Sequence, residues 1–261
     1  MNTKIAVSSK KDKLLTALIL IGLTSLFVVS LSLLKLDIPE FLSRFKSAGD
    51  ILPNFLALDF SEISTIIYEL FVSICMAIAA LALGFVISIP LSFLGARNTT
   101  PWPILSGFIK GLVGIVRAVP ALIWILIVVA SLGFGNTAGV VGLIFPTTGY
   151  LIKSFISSIE EQDPAIIETM KATGAGWLQL IVEGLLPGLV NPLLSWTSIR
   201  LESNIAESIS LGMVGAGGIG MVMTRAIGQY DYAKISTIIL VIFITMITFE
   251  LIIGQIKRAI R

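Results

Sequence analysis

Hydrophobic positions along this chain come in long uncharged blocks, and the block lengths predict helices that cross a membrane. Leu14 to Leu34 is uncharged over 21 residues, enough at 1.5 Å per residue to span a hydrocarbon core of ~30 Å. Leu70 to Ala96 is uncharged again and ends at Arg97. Ala118 to Ile152 carries no charge over 35 residues, too long for one crossing, and breaks at the glycine-rich turn Gly133-Phe134-Gly135-Asn136. The pattern predicts a third span that begins before Arg117, near Gly111, and a fourth from about Ala138 to Ile156. A fifth starts near Ile181 and a sixth runs from about Ile235 to Ile256. The expected fold class is an all-α integral membrane protein with six transmembrane helices.

The polar blocks set the organisation. Lys4, Lys10, Lys11 and Lys13 precede the first apolar run. That run is longer than the 7–15 residues of a signal-peptide core and no small-residue cleavage site follows it directly, so an uncleaved first span is expected. Lys35 to Glu62 mixes charge with Leu, Phe and Ile and is expected to be external, partly helical and lying along the surface. Residues 1–62 then form a tail, a first span and an external segment, and 63–261 a core. With six spans, Lys4, Lys10, Lys11, Lys13, Arg97, Lys153, Lys171, Lys257, Arg258 and Arg261 lie on one side, against Lys35, Arg44, Lys46, Arg225 and Lys234 on the other. The excess of basic residues makes the first side the cytoplasm, with both termini in it. Ala77, Ala80, Gly84 and Ser88 form a small-residue stripe suited to close helix packing.

Composition agrees and narrows the chemistry. Hydrophobic residues make up 56% and charged residues 13%, far below the roughly 25% charged of a soluble domain. A net charge of +2 gives no argument for nucleic acid. With no histidine and Cys75 the only cysteine, a disulfide within the chain and a His/Cys metal site are excluded. Cys75 is expected to be a small packing residue. A membrane enzyme would need a nucleophile–base or metal constellation, for which the available parts are poor.

The one long polar interruption in the second half runs from Ile159 to Pro187. Asp163-Pro164 reads as a helix start, an acceptor side chain followed by proline at the first helical position. A short helix from about Pro164 to Thr173 should follow, stopping at Gly174, where the chain can take positive φ. Gly176 loosens the next turn, and Trp177 and Leu178 open a second apolar run.

Two further stretches carry polar chemistry. Arg200, Asn204 and Glu207 fall on one helical face within the fifth span, with Glu202 pointing elsewhere. A charge at bilayer depth costs at least ~2.5 kcal/mol, so these face the protein interior or a water-filled path. They either form an Arg200–Glu207 pair that holds helices together or help a small polar or anionic solute past the midplane. Arg117, beside Pro120, has the same two readings, helix-end anchor or path residue. Gly215-Ala216-Gly217-Gly218-Ile219-Gly220 fits the dinucleotide pattern but sits between spans, without the βαβ unit or the acidic residue about 20 positions on. It is read as a flexible external re-entrant turn capping the path. There is no phosphate-binding loop with Gly-Lys-Ser/Thr, so any ATP must be hydrolysed by another subunit.

Glu168, Gly174 six residues on, and Leu186-Pro187 resemble the coupling loop of bacterial ABC importer permeases, E-A-A-x3-G-x9-I-x-L-P, with Thr169 and Met170 replacing the alanines and Gly184 the isoleucine. The run Arg117-Ala-Val-Pro-Ala-Leu-Ile-Trp124, then Lys171-Ala-Thr-Gly-Ala-Gly176, Arg200-x-Glu202-x-Asn204 and Leu211 to Gly220, followed by Asp231-Tyr232, is similar to permeases of phosphonate-type ABC importers, from about Tyr68 to the carboxyl terminus. That resemblance implies a type I importer permease fold in the bacterial cytoplasmic membrane and a cargo of phosphonate, phosphite or hypophosphite. It implies as partners a second copy of the chain, two ATPase subunits holding ATP and Mg, and an extracytoplasmic binding protein, with no cofactor on this chain and no catalytic residue. It also implies that Glu168, Thr169, Met170, Lys171, Ala172, Thr173 and Gly174 dock on the ATPase. A methionine-type importer shares the coupling loop and a glycine-rich turn. An ATP-independent secondary transporter would instead predict inverted repeats and broken helices with midplane charges in both halves, and no such symmetry is visible.

Overall fold

The computed structural model describes residues 10–35 and 37–260, and all regular elements among them are helical. The chain divides into two units, Met1–Asn54 and Phe55–Arg261. In the first, α1 (Lys10–Leu33) exposes apolar side chains on every face, and α2 (Ile38–Ile51) is amphipathic, with Phe41 and Phe45 stacked 6.3 Å apart. An all-round apolar helix that buries nothing against protein is a membrane-crossing element.

The second unit contains α3 (Ile63–Gly95), α4 (Pro103–Ala118), α5 (Ala121–Leu132), α6 (Asn136–Glu160), α7 (Pro164–Ala172), α8 (Trp177–Ala216, one long element with π-helical turns at Leu180–Leu185 and Gly212–Ala216), α9 (Ile219–Gly228) and α10 (Tyr232–Ile260). At its centre α3 packs along α6. Ala77, Ala80, Gly84 and Ser88 are all buried, and a Cβ added at Gly84 would lie 2.6 Å from Thr147 Cγ2 of α6. Without a methyl there the two backbones approach closely, which is how membrane helices gain packing energy when lipid is as apolar as the side chains. Apolar cores flank this contact. Phe93, Leu151, Phe155, Ile159, Leu185 and Leu189 pack where α3 and α6 end, and Ile66, Leu70, Ile205, Ile219 and Ile238 where α3 begins. The entry to α3 is tied to α10: Asp59 N–H donates to Thr237 Oγ1, and Lys234 Nζ pairs with Glu62 Oε2 at 2.6 Å. The backbone N–H and hydroxyl of Ser61 hold the Asp59 carboxyl below its usual value.

Five helices, α1, α3, α6, α8 and α10, are long and apolar enough to cross a membrane. The expected third span is not one helix starting near Gly111. It is α4 and α5, which begin at Pro103 and bend by 85° between them. Pro120 lacks the N–H that would continue the helix and holds Val119 in an extended conformation, φ −87° and ψ 121°. The break expected at Gly133-Phe134-Gly135-Asn136 is also present, with Gly133 at φ +86°. The fifth span starts at Trp177, earlier than Ile181, and runs for 40 residues. Cys75 is exposed on α3 and does not pack in the core as expected. Of the basic residues counted for the cytoplasmic side, Lys4 and Arg261 lie outside the described residues, as do the side chains of Lys10, Lys257 and Arg258.

Candidate functional site

The polar loop folds as its sequence dictates. Asp163 Oδ1 accepts from Ala165 N–H at 2.9 Å and starts α7, Pro164 occupies the first helical position, and Gly174 ends the turn at φ +78°. Ala175 N–H returns to Met170 O, and Gln179 Oε1 accepts from Gly176 N–H to begin α8. Glu168, Thr169, Lys171, Ala172, Thr173 and Gly174 are exposed, while Ile167 is buried and Met170 half-buried. The helix is thus seated on the protein by one apolar side and presents its polar side outward. Neither Glu168 nor Lys171 has an ion-pair partner among the described residues.

Beneath this helix, the ends of α3, α4, α6 and α8 are tied together. Glu160 Oε1 accepts from Arg97 N–H at 2.7 Å and from Lys110 Nζ at 2.6 Å, Asn98 Nδ2 donates to Ile159 O, and Trp177 Nε1 donates to Thr99 O at 2.6 Å. The chain on either side of α7 is thus hydrogen-bonded to the end of α3 and to α4.

Deeper in the bundle, Arg200, Asn204 and Glu207 lie on one face of α8, as their spacing predicted. Arg200 is 5% exposed and pairs through Nη2 with Glu207 Oε2 at 2.7 Å. Its Nε donates to Thr147 Oγ1 at 3.4 Å, and its guanidinium lies 5.7 Å from the Tyr150 ring centroid. Thr147 Oγ1 donates to Asn204 Oδ1 at 2.9 Å, and Asn204 Nδ2 donates to Ala77 O. One network so joins α3, α6 and α8. Glu202, two residues from Arg200, is half-buried. Arg117 ends α4 just before the 85° bend, is exposed, and lays its stem over Gly149 of α6, next to Tyr150.

The glycine turn is closely packed. Gly215, Gly217 and Gly218 take positive φ, and side chains there would collide with Phe134, Asn136 and Ser73 respectively. Ser73 Oγ accepts from Ile219 N–H, and Gly220 approaches the backbone of Gly212 and Ile209 so closely that no Cβ fits. The turn joins α8 to α9 while anchored to α3 and to the α5–α6 connection.

Residues 88–261 match the family model described as binding-protein-dependent transport system inner membrane component. The chain belongs to that family, the permease subunits of ABC importers. It is 35% identical to the phosphite transport system permease protein PtxC of Stutzerimonas stutzeri, over 77% of this chain and 71% of that one. It is 32% identical to the phosphate-import permease protein PhnE of Mycolicibacterium smegmatis over 71% of this chain, spanning 35% of that longer protein. Among solved structures, inward-facing MetNI methionine ABC transporter superposes with a TM-score of 0.66 at 23% identity, covering 77% of this chain and 99% of that one, which establishes the shared fold. The protein is accordingly a multi-pass inner-membrane permease subunit.

Within this permease, two of the three departures from the family's loop pattern, Met170 and Gly184, face each other. Met170, where alanine is usual, lies against Gly184, where isoleucine is usual, and a Cβ at Gly184 would stand 3.0 Å from Met170 Cγ. The long side chain on α7 fills the space that glycine leaves on α8. Sequence reasoning missed Thr147, Glu160 and Lys110. Thr147 has no charge to mark it. Glu160 and Lys110 are joined only by the fold, 50 residues apart.

Two predictions come from these contacts. Gly184→Ile alone should lower the unfolding temperature of the purified chain in detergent and cut uptake, at a cost of about 1–3 kcal/mol from overpacking, and adding Met170→Ala should restore most of both. Arg200→Met, which strands the Glu207 carboxylate, should destabilise the chain by about 3–5 kcal/mol in detergent unfolding, and the pair Arg200→Met with Glu207→Leu should recover most of that loss.

Proposed function

We propose that this chain forms the transmembrane path of an importer for a small phosphorus oxyanion: phosphonate, phosphite or hypophosphite. The observation that carries the reading is 35% identity, over 77% of the chain, to a permease whose name specifies phosphite transport. Residues 63–261 act as the permease core, and residues 1–62 as an amino-terminal anchor and external segment, with both termini cytoplasmic. A second permease chain, taken as a copy of this one, completes the path. A separate pair of ATPase subunits binds ATP and Mg, and an extracytoplasmic binding protein delivers the cargo. The exposed side of α7, Glu168 to Gly174, docks on the ATPase, and closing and opening of that subunit drives the path to face either side in turn. Arg200, Glu202, Asn204 and Glu207 bracket the path, with the first, third and fourth serving as its internal brace, and the glycine turn caps its external end.

Vesicles containing this chain with its ATPase and binding protein, offered methylphosphonate, phosphite, hypophosphite and methionine separately, test the reading. At least one phosphorus oxyanion should accumulate, and only with ATP. Accumulation of methionine alone would overturn the cargo, and accumulation without ATP would overturn the mechanism.

A further inference from the structure

The bundle contains a second cationic cluster that the Arg200 network does not use. Lys110, Val113, Gly114 and Arg117 of α4 face Lys153 and Ile156 of α6 around a cavity of about 180 Å³. Lys110 and Arg117 are seven residues apart, on one face of α4, and Gly114 between them supplies no side chain to fill the space. On α6, Gly149 lies one turn before Lys153, and a Cβ there would sit 3.0 Å from Arg117 Cγ. The two glycines let a cation lie flat across the helix contact and leave a hollow beside it. A neighbouring cavity, lined by Arg97, Ser106, Gly107 and Lys110, continues toward the end of α6. Two carboxylates end α6: Glu160, held by Lys110 Nζ and Arg97 N–H, and Glu161, which accepts from Ser157 Oγ.

Arg117 and Lys153 have no ion-pair partner among the described residues. Lys153 sits seven residues inside the end of a membrane-spanning helix, about 10 Å along its axis at 1.5 Å per residue. Arg117 and Lys153 are both exposed, so their charges are open to water or an anion. Arg200, by contrast, is buried with its charge answered by Glu207, and Lys110 is answered by Glu160, so Arg117 and Lys153 are the cations of this cavity without a carboxylate partner among the described residues. A planar guanidinium and a point charge without carboxylate partners, with the Glu160-paired Lys110 beside them, suit a tetrahedral oxyanion, which can take a bidentate pair from arginine and single bonds from lysines. A cavity of about 180 Å³ has room for such an ion and part of its water shell.

We propose that Arg117, Lys153 and Lys110 form a binding site for a small phosphorus oxyanion on the path, distinct from the Arg200 network. The proposal rests on the cargo reading above. The same chemistry would hold the phosphodiester of an anionic lipid, so the test separates the two sources.

Phosphite is titrated onto the full chain, assembled with its ATPase in nanodiscs of phosphatidylcholine alone, and the measurement is repeated with Arg117→Gln, Lys153→Gln and Lys153→Arg. Each glutamine variant should weaken phosphite binding about tenfold or more, Lys153→Arg should keep most of it, and the detergent unfolding temperature should stay within a few degrees of wild type. Phosphite binding unchanged in both glutamine variants would overturn the proposal. So would variants that bind phosphite normally but lose co-purifying phosphatidylglycerol when that lipid is present, since the pocket would then be a lipid site. Uptake measured alongside separates the two readings: phosphite bound through these residues without any oxyanion uptake would sink the cargo reading alone, and uptake with unchanged KM in both variants would sink this site alone.

Discussion

The buried positive charge of Arg200 sets the constraint on the rest of this bundle. Arg200 of α8 lies against α6, and its cost of burial is offset only while Glu207, Thr147 and the Tyr150 ring stay in place around it. Thr147 also serves Asn204, and Asn204 reaches the backbone of Ala77, so the register of three helices is fixed by one set of polar contacts. The close approach of α3 to α6 at Gly84 puts Thr147 where the network needs it. Apolar packing alone would allow these helices to slide, since lipid competes for the same surfaces; directional contacts restrict the sliding.

The same logic holds at the end of the bundle. α7 makes few contacts of its own, yet its apolar side is pinned to the π-helical turn of α8 and its flanks are tied through Glu160 and Trp177 to α3 and α4. A short helix that is exposed on one side and rigidly connected on the other is suited to receiving a push from a soluble subunit. The bent pair α4–α5 has the opposite character. Its 85° break at Val119–Pro120 follows directly after Arg117, whose stem lies beside Gly149 of α6.

Much of this was legible in the sequence because the signals were local. Block hydropathy found the spans, the Asp163-Pro164 cap and Gly174 bounded α7 to within a residue, and helical spacing put Arg200, Asn204 and Glu207 on one face. The long-range consequences were not legible. Pro120 was visible, but in an uncharged run nothing local shows whether a proline kinks a span gently or turns it by 85°. The glycine turn suggested flexibility because glycine permits it; only the fold shows Phe134, Asn136 and Ser73 occupying the space that side chains would need. Met170 and Gly184 each looked like a lapse from a family pattern, and their compensation exists only in three dimensions. Lys110 and Glu160 become partners only when α4 folds back against α6.

The central claim is that force enters this permease through the exposed side of α7. It is tested most directly by covalent capture: Cys75→Ala removes the native thiol, Glu168→Cys places one on α7, and the assembled importer is treated with a short thiol–amine cross-linker in the presence and absence of ATP. The account predicts a cross-link from position 168 to the ATPase subunit in both conditions, with a yield that changes between them. No cross-link from position 168, alongside efficient capture of the ATPase from a thiol placed outside α7, would contradict it.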